Sequence, residues 1–179
     1  GGRKLQNRDC RPAYKVVLMD TVYHEIPPVY DKSSGILMLG TIPSPKSREA
    51  GFYYSHPQNR FWRVMAALFN SQVPVTNAEK RALMLENRIA LWDVLSSCRI
   101  SGASDASIRE PVANNIGVIL SACDIRAIYT TGSAAFRLYN KYCLKDTKRP
   151  AVCLPSTSPA NCRLSLEALI EAYKVILNN

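Results

Sequence analysis

Apolar positions along this chain follow two rhythms. Short, mostly apolar runs at 36–39, 89–95, 125–129 and 151–154 predict buried strands. Between them apolar residues recur at helical spacing. Phe61, Val64, Met65, Leu68 and Phe69 share one face of a helix over 60–70, a core face rather than a cofactor box. Leu166, Leu169, Ile170, Tyr173, Ile176 and Leu177 form the stripe of a last helix. Further helices are expected at 77–87, with Asn77 as N-cap and Lys80 and Arg81 exposed, from Asn114 or Asn115 to 122, and at 133–143. Residues 14–19 suggest an edge strand, and 23–30, with two prolines, an extended lead-in. Residues 96–115 are expected to be a loop. Strands and helices alternate, which predicts a parallel sheet covered on both faces. No repeat or internal boundary appears, so residues 1–13 are expected to be a basic arm and 14–179 a single domain.

Composition sharpens this picture in three ways. The 179 residues are 47% apolar, enough for one domain with a sizeable core and too apolar for a disordered chain. The net charge of +9 favours an anionic partner, with nucleic acid the simplest choice. Six cysteines, at 10, 98, 123, 143, 153 and 162, include no C-x-x-C pair. Zinc, redox-dithiol and iron–sulfur chemistry are therefore not expected, and reduced thiols are. No apolar run approaches the ~20 residues of a membrane span. The expected setting is the cytoplasm, at the nucleoid if the source is bacterial.

The periodicity fails between Gly40 and Arg60, directly after the 36–39 strand. Gly40, Pro43 and Pro45 argue against a simple helix start there. Thr41, Ser44 and Ser47 supply hydroxyls, Lys46 and Arg48 supply charge, and Phe52-Tyr53-Tyr54 precede His56-Pro57-Gln58-Asn59. A long loop at the carboxyl end of a strand is where open α/β sheets hold ligands. Cations, hydroxyls and flat aromatic rings together suit a nucleotide whose phosphates are gripped while its base is stacked. An ordinary surface loop with aromatics tucked into the core is the alternative.

The order Gly40-Thr41-Ile42-Pro43-Ser44, then Ser47, then Phe52 to Trp62, resembles motif 1 of the uracil-DNA glycosylase superfamily. It is most similar to the hypoxanthine-DNA glycosylase (DNA-deoxyinosine glycosylase) branch. Ile89-Ala-Leu-Trp-Asp-Val-Leu95, Ser104-Asp-Ala-Ser-Ile-Arg109 and Ser156-Thr-Ser-Pro-Ala-Asn161 extend the likeness over residues 23–177. It implies a three-layer α/β/α sandwich around a central, mainly parallel four-stranded sheet. It also implies a monomeric, cofactor-free and metal-free monofunctional DNA glycosylase. Such an enzyme flips a deaminated base, hypoxanthine first with uracil or xanthine as further substrates, and hydrolyses its N-glycosidic bond.

The resemblance also carries roles for individual residues. Many relatives place Asp or Asn just before the motif 1 proline to handle water. Here that residue is Ile42, a departure shared with the hypoxanthine branch, whose catalytic Asn matches Asn59. Asn59 would orient water through its carbonyl oxygen, or else cap the following helix. Tyr54 would stack on the flipped base, and His56 would neutralise the leaving anion or hold the turn. Gly40, Thr41, Ile42, Pro43, Ser44, Thr131 and Ser156 would line the base pocket. Ser156 stands where relatives carry a histidine. Ser44, Lys46, Ser47, Arg48, Arg60, Ser158, Asn161 and Arg163 would face the DNA, with Ser158 at the start of a helix. His24 and Asp93 are expected to be structural, each with a catalytic alternative. The 96–115 loop either shapes the base pocket or is a surface crossover in which Asp105 caps a turn. A base-flipping sensor without activity and a nucleoside or nucleotide hydrolase remain as alternatives.

Overall fold

The computed structural model describes residues 18–178. The basic arm at 1–13, Cys10 and most of the expected 14–19 strand lie outside the described residues. Seven strands and seven helices follow in order: β1 (Asp20–Tyr23), β2 (Ile36–Gly40), α1 (Pro45–Ala50), α2 (Phe61–Leu68), α3 (Asn77–Glu86), β3 (Ile89–Asp93), β4 (Leu95–Ile100), β5 (Arg109–Ala113), α4 (Gly117–Ala122), β6 (Ala127–Thr131), α5 (Ser133–Tyr142), α6 (Leu144–Thr147), β7 (Val152–Leu154) and α7 (Leu166–Tyr173). The last helix tightens into a 3₁₀ turn over Lys174–Asn178.

Strands β3-β2-β6-β7 form the expected parallel sheet. Leu37, Met38 and Leu39 are fully buried, so β2 is covered on both faces. Alternation along the strand sorts its side chains between two cores. Ile36 and Met38 join Phe61, Met65, Met84, Leu169 and Tyr173, which brings α2, α3 and α7 onto one face. Leu37 and Leu39 join Ile119, Ile128 and Tyr139, which brings α4 and α5 onto the other. Each fully buried aliphatic side chain here contributes about 1.5–3 kcal/mol. The result is the three-layer α/β/α sandwich.

Several expectations need correction. The polar stretch 96–115 is not a loop: β4 and β5, joined through a 3₁₀ turn at Asp105–Ser107, form a second sheet in the order β1-β4-β5. The expected 89–95 strand breaks at Val94, and Leu95 starts β4. The Asn114 amide holds this corner by donating to the carbonyls of Asp93 and Leu95, at 2.9 and 3.0 Å. The helix expected at Asn114 or Asn115 begins at Gly117. Leu18 and Met19 are irregular; the edge strand is β1, paired antiparallel with β4. Thr76, not Asn77, caps α3. Its hydroxyl accepts from Glu79 N–H, and the Glu79 carboxylate accepts from Thr76 N–H. Lys80 is 9% exposed rather than solvated; its ammonium lies over the Trp62 ring, 5.7 Å from the centroid, and donates to Ser55 Oγ at 3.4 Å.

Candidate active site

The connections from β2 lead first to β3 on one side and later to β6 on the other. The chain thus diverges at the carboxyl ends of β2 and β6, where open α/β sheets leave a crevice. A cavity of about 130 Å³ opens there, far above the ~10–15 Å³ that one water needs. Gly40 to Ser44 leave β2 along its wall, and Asp93 ends β3. Thr131 ends β6, and Ser156 to Ser158 follow β7.

The segment after β2 is more ordered than its composition predicts. Pro45 opens α1 at a helical first position, where the missing N–H costs nothing. Ser44 caps it by accepting from Ser47 N–H at 3.2 Å. Gly51 closes it in the left-handed region, at φ 66°. The short helix turns the chain back so that the aromatic trio meets α2. Phe52 and Tyr53 are core residues, and Trp62 Nε1–H donates to the Tyr53 carbonyl at 3.1 Å.

Tyr54 behaves differently. Its backbone is left-handed, at φ 52°. Its ring stacks on Phe61 with centroids 3.8 Å apart and 14° between planes. Its hydroxyl lies 3.0 Å from Thr131 Oγ1. One face is thus backed by Phe61 while the ring lines the cavity. Burial, then the nearby Asp93 charge, pushes its phenol pKa well up, so the ring is neutral.

Asn59 also lines the cavity, but its carbonyl oxygen is occupied. Oδ1 accepts from Phe61 N–H at 3.0 Å and from Thr157 Oγ1–H at 2.8 Å. A carbonyl oxygen has two lone pairs, and both are used. The amide nitrogen makes no hydrogen bond among the described residues. Asn59 therefore holds the helix start, and both lone pairs of Oδ1 are engaged in this conformation.

Asp93 is 4% exposed. Its Oδ2 sits 2.8 Å from His24 Nε2, and since a carboxylate only accepts, Nε2 carries the proton. The two residues expected to be structural thus form a buried pair whose carboxylate lines the cavity. Gly40 makes this possible, because a Cβ there would overlap Asp93 Oδ1 and meet the Tyr54 hydroxyl at 3.2 Å. Across the cavity, Thr41 Oγ1–H donates to Asp105 Oδ2 at 3.2 Å. Asp105 as a whole is exposed, yet enough protein surrounds its carboxyl that burial raises its pKa. Asp93 adds to the rise, while the Thr41 hydrogen bond and Arg137 oppose it.

The structure brings together Gly40, Thr41, Ile42, Pro43, Ser44, Ser47, Tyr54, Asn59, Thr131, Ser156 and Ser158 of the expected residues. His56 is not among the lining residues; its Nδ1 accepts from Gln58 N–H at 3.1 Å. Arg60 points inward, donating to the carbonyls of Leu164, Ser158 (3.3 Å) and Asn161 (2.6 Å). Asn161 donates to Ser156 O at 2.8 Å, so the 156–164 loop is tied to itself and to the start of α2. No helix begins at Ser158, since α7 starts at Leu166 with Ser165 as cap. Lys46 pairs with Glu49 at 2.8 Å on the surface, Arg48 donates to Pro43 O at 3.0 Å, and Arg163 is exposed. Asp93 and Asp105, which the sequence reads as a structural residue and a turn cap, also line the cavity. A carboxylate at a strand's carboxyl end is the signal for the first; the second depends on the undetected small sheet.

Comparison with known proteins agrees with this geometry. Two curated relatives, both named hypoxanthine DNA glycosylase, come from Methanosarcina. The Methanosarcina acetivorans protein is 32% identical over 141 residues, 78% of this chain and 88% of its own length. The Methanosarcina barkeri protein is 33% identical over 94 residues, 52% of this chain and 60% of its own length. A solution NMR structure from Methanosarcina acetivorans, provisionally described as a uracil DNA glycosylase, superposes with a TM-score of 0.72 at 27% identity. That match covers 87% of this chain and 98% of the other. The model of the uracil DNA glycosylase superfamily matches residues 27–176. By that span, this chain belongs to the uracil DNA glycosylase superfamily.

Proposed function

We propose that the protein excises deaminated bases from DNA, hypoxanthine first, by hydrolysing the N-glycosidic bond of a flipped nucleotide. One observation carries this assignment. Tyr54, backed by Phe61, presents a rigid neutral ring to a cavity rimmed by hydrogen-bonding groups at the carboxyl ends of the sheet. A base extruded from a duplex needs such a platform, and stacking is worth ~1–3 kcal/mol per base. The curated names of the Methanosarcina relatives point to the same substrate.

Within this assignment Asn59 binds the base rather than the water. Its amide nitrogen donates to an acceptor on the base edge, with Thr131 and Ser156 beside it. Ser44 and Ser158 face the phosphates at the rim, and Lys46 and Arg163 add charge from the surface. No lysine lines the cavity among the described residues, which favours hydrolysis by water over Schiff-base lyase chemistry. His56 is assigned no step.

Alkali-revealed strand cleavage on labelled duplexes holding one deoxyinosine or one deoxyuridine tests this assignment. Wild type is expected to cut the inosine duplex. Asn59→Asp keeps both accepted hydrogen bonds and loses the donor, so it is expected to cut at least tenfold more slowly while melting like wild type. Tight inosine-duplex binding without cutting would replace the enzyme by a damage sensor.

A further inference from the structure

Four ionisable side chains line the cavity: Tyr53, Tyr54, Asp93 and Asp105. Burial raises the pKa of both phenols, so neither serves as a base at neutral pH. The position before Pro43 is the apolar Ile42, and the Asn59 oxygen is saturated. Two carboxyls remain, and they sit in unlike surroundings.

Asp93 is fixed. Its backbone carbonyl accepts from Asn114, and its Oδ2 accepts from His24, itself buried at 1% side-chain exposure. Its Oδ1 accepts no hydrogen bond among the described residues and stands on the Gly40 side of the cavity. This is a carboxylate with one oxygen anchored and one available. Asp105 lies on the 3₁₀ turn between β4 and β5, at the cavity mouth, held by Thr41. The titratable groups around it are Asp93 from β3, Cys98 from β4 and Arg137 from α5. Burial keeps it protonated to higher pH than an ordinary carboxyl. Paired carboxyls whose environments differ in this way divide acid and base work.

Resting on the glycosylase assignment, we infer that Asp93 accepts the proton of the attacking water and Asp105 donates a proton to a ring nitrogen of the departing purine. The water oxygen bonds to the anomeric carbon as the C1′–N9 bond breaks, and that electron pair leaves with the purine. One water proton passes to Asp93, and the Asp105 proton passes to the base. The products are neutral hypoxanthine and an abasic sugar bearing a C1′ hydroxyl. Solvent then reprotonates Asp105 and deprotonates Asp93. A purine offers basic ring nitrogens for this proton, so the arrangement suits hypoxanthine.

The test is single-turnover release from the inosine duplex as a function of pH, with duplex affinity and melting measured alongside. General acid–base groups typically contribute 10²–10⁴-fold. The wild-type rate is expected to fall at high pH as Asp105 ionises. Asp105→Asn is expected to be at least tenfold slower, to lack that alkaline limb and to bind the duplex as wild type does. Asp93→Asn is expected to be at least a hundredfold slower with duplex affinity kept. An Asp105→Asn enzyme with the wild-type rate, or with its alkaline limb intact, would overturn the acid assignment. An Asp93→Asn enzyme within tenfold of wild type would overturn the base assignment. Should Asp93→Asn fail to fold, the exposed Asp105 turn still decides the acid assignment through the pH limb. A wild type inert on inosine would sink the glycosylase assignment and this inference together, whereas a cutting wild type with unaffected variants sinks only the inference.

Discussion

Gly40 shows how one missing side chain organises the cavity. Its role is steric: a Cβ at this strand end would occupy the space of Asp93 Oδ1 and crowd the Tyr54 hydroxyl. Gly40→Ala is therefore expected to displace the carboxylate, slow inosine release at least tenfold and cost about 1–3 kcal/mol of overpacking in chemical denaturation. An alanine variant with wild-type rate and stability would mean that Asp93 moves aside freely. The glycine itself was legible in the sequence as part of motif 1. Its neighbour was not, because Asp93 lies 53 residues further along and meets Gly40 only through the β2–β3 register. Asn59 was legible as a cavity residue, but its hydrogen bonds were not. The use of its oxygen by Thr157 depends on a loop 98 residues away.

At the scale of elements, apolar runs placed the four strands of the main sheet to within two residues, and helical spacing together with turn and cap signals located α2, α3, α4, α5 and α7 that cover it. What it missed is the small sheet. β5 carries Pro111, is exposed or half-exposed throughout and pairs on one side only, as an edge strand that proline tolerates. Short strands without apolar alternation give no period to detect. Proline misled in the other direction at α1, where Pro45 starts the helix instead of preventing it. Helix α3 offers a clean test of local chemistry far from the cavity. Thr76→Ala removes the hydroxyl half of its capping box and is expected to cost about 1 kcal/mol in urea denaturation while base release stays unchanged. A variant as stable as wild type would show that Asn77 takes over the cap, as the sequence had suggested.

For the molecule as a whole, charge and stability carry the consequences. With a net charge of +9, duplex affinity is expected to fall steeply and linearly in log–log form as salt rises, with a slope near −0.9 per phosphate neutralised. A flat salt response would argue for a free nucleoside substrate instead. Asp105 links the cavity to folding. Its pKa is raised above 3.8 in the folded state, so its favourable contribution is full below the unfolded pKa and is lost as pH rises through the folded one. Asp105→Asn removes that dependence. The variant is expected to gain melting temperature relative to wild type as pH climbs above 4, while it loses activity. Equal pH profiles of melting would show that the carboxyl titrates normally.

The Arg60 clamp has a temporal consequence. Among the described residues, the guanidinium at the start of α2 donates to carbonyls between Ser158 and Leu164 alone. Thr131 and Ser156 likewise complete the cavity from the last third of the chain. A ribosome extends the polypeptide from its amino end, so a growing chain holds Tyr54 and Asp93 long before the remaining wall exists. Parallel pairings such as β2 with β6 close late for the same reason. On the glycosylase proposal, base excision would begin only after Leu164 has been added, and a nascent chain stalled before Ser156 would carry the proposed stacking ring with no pocket to serve.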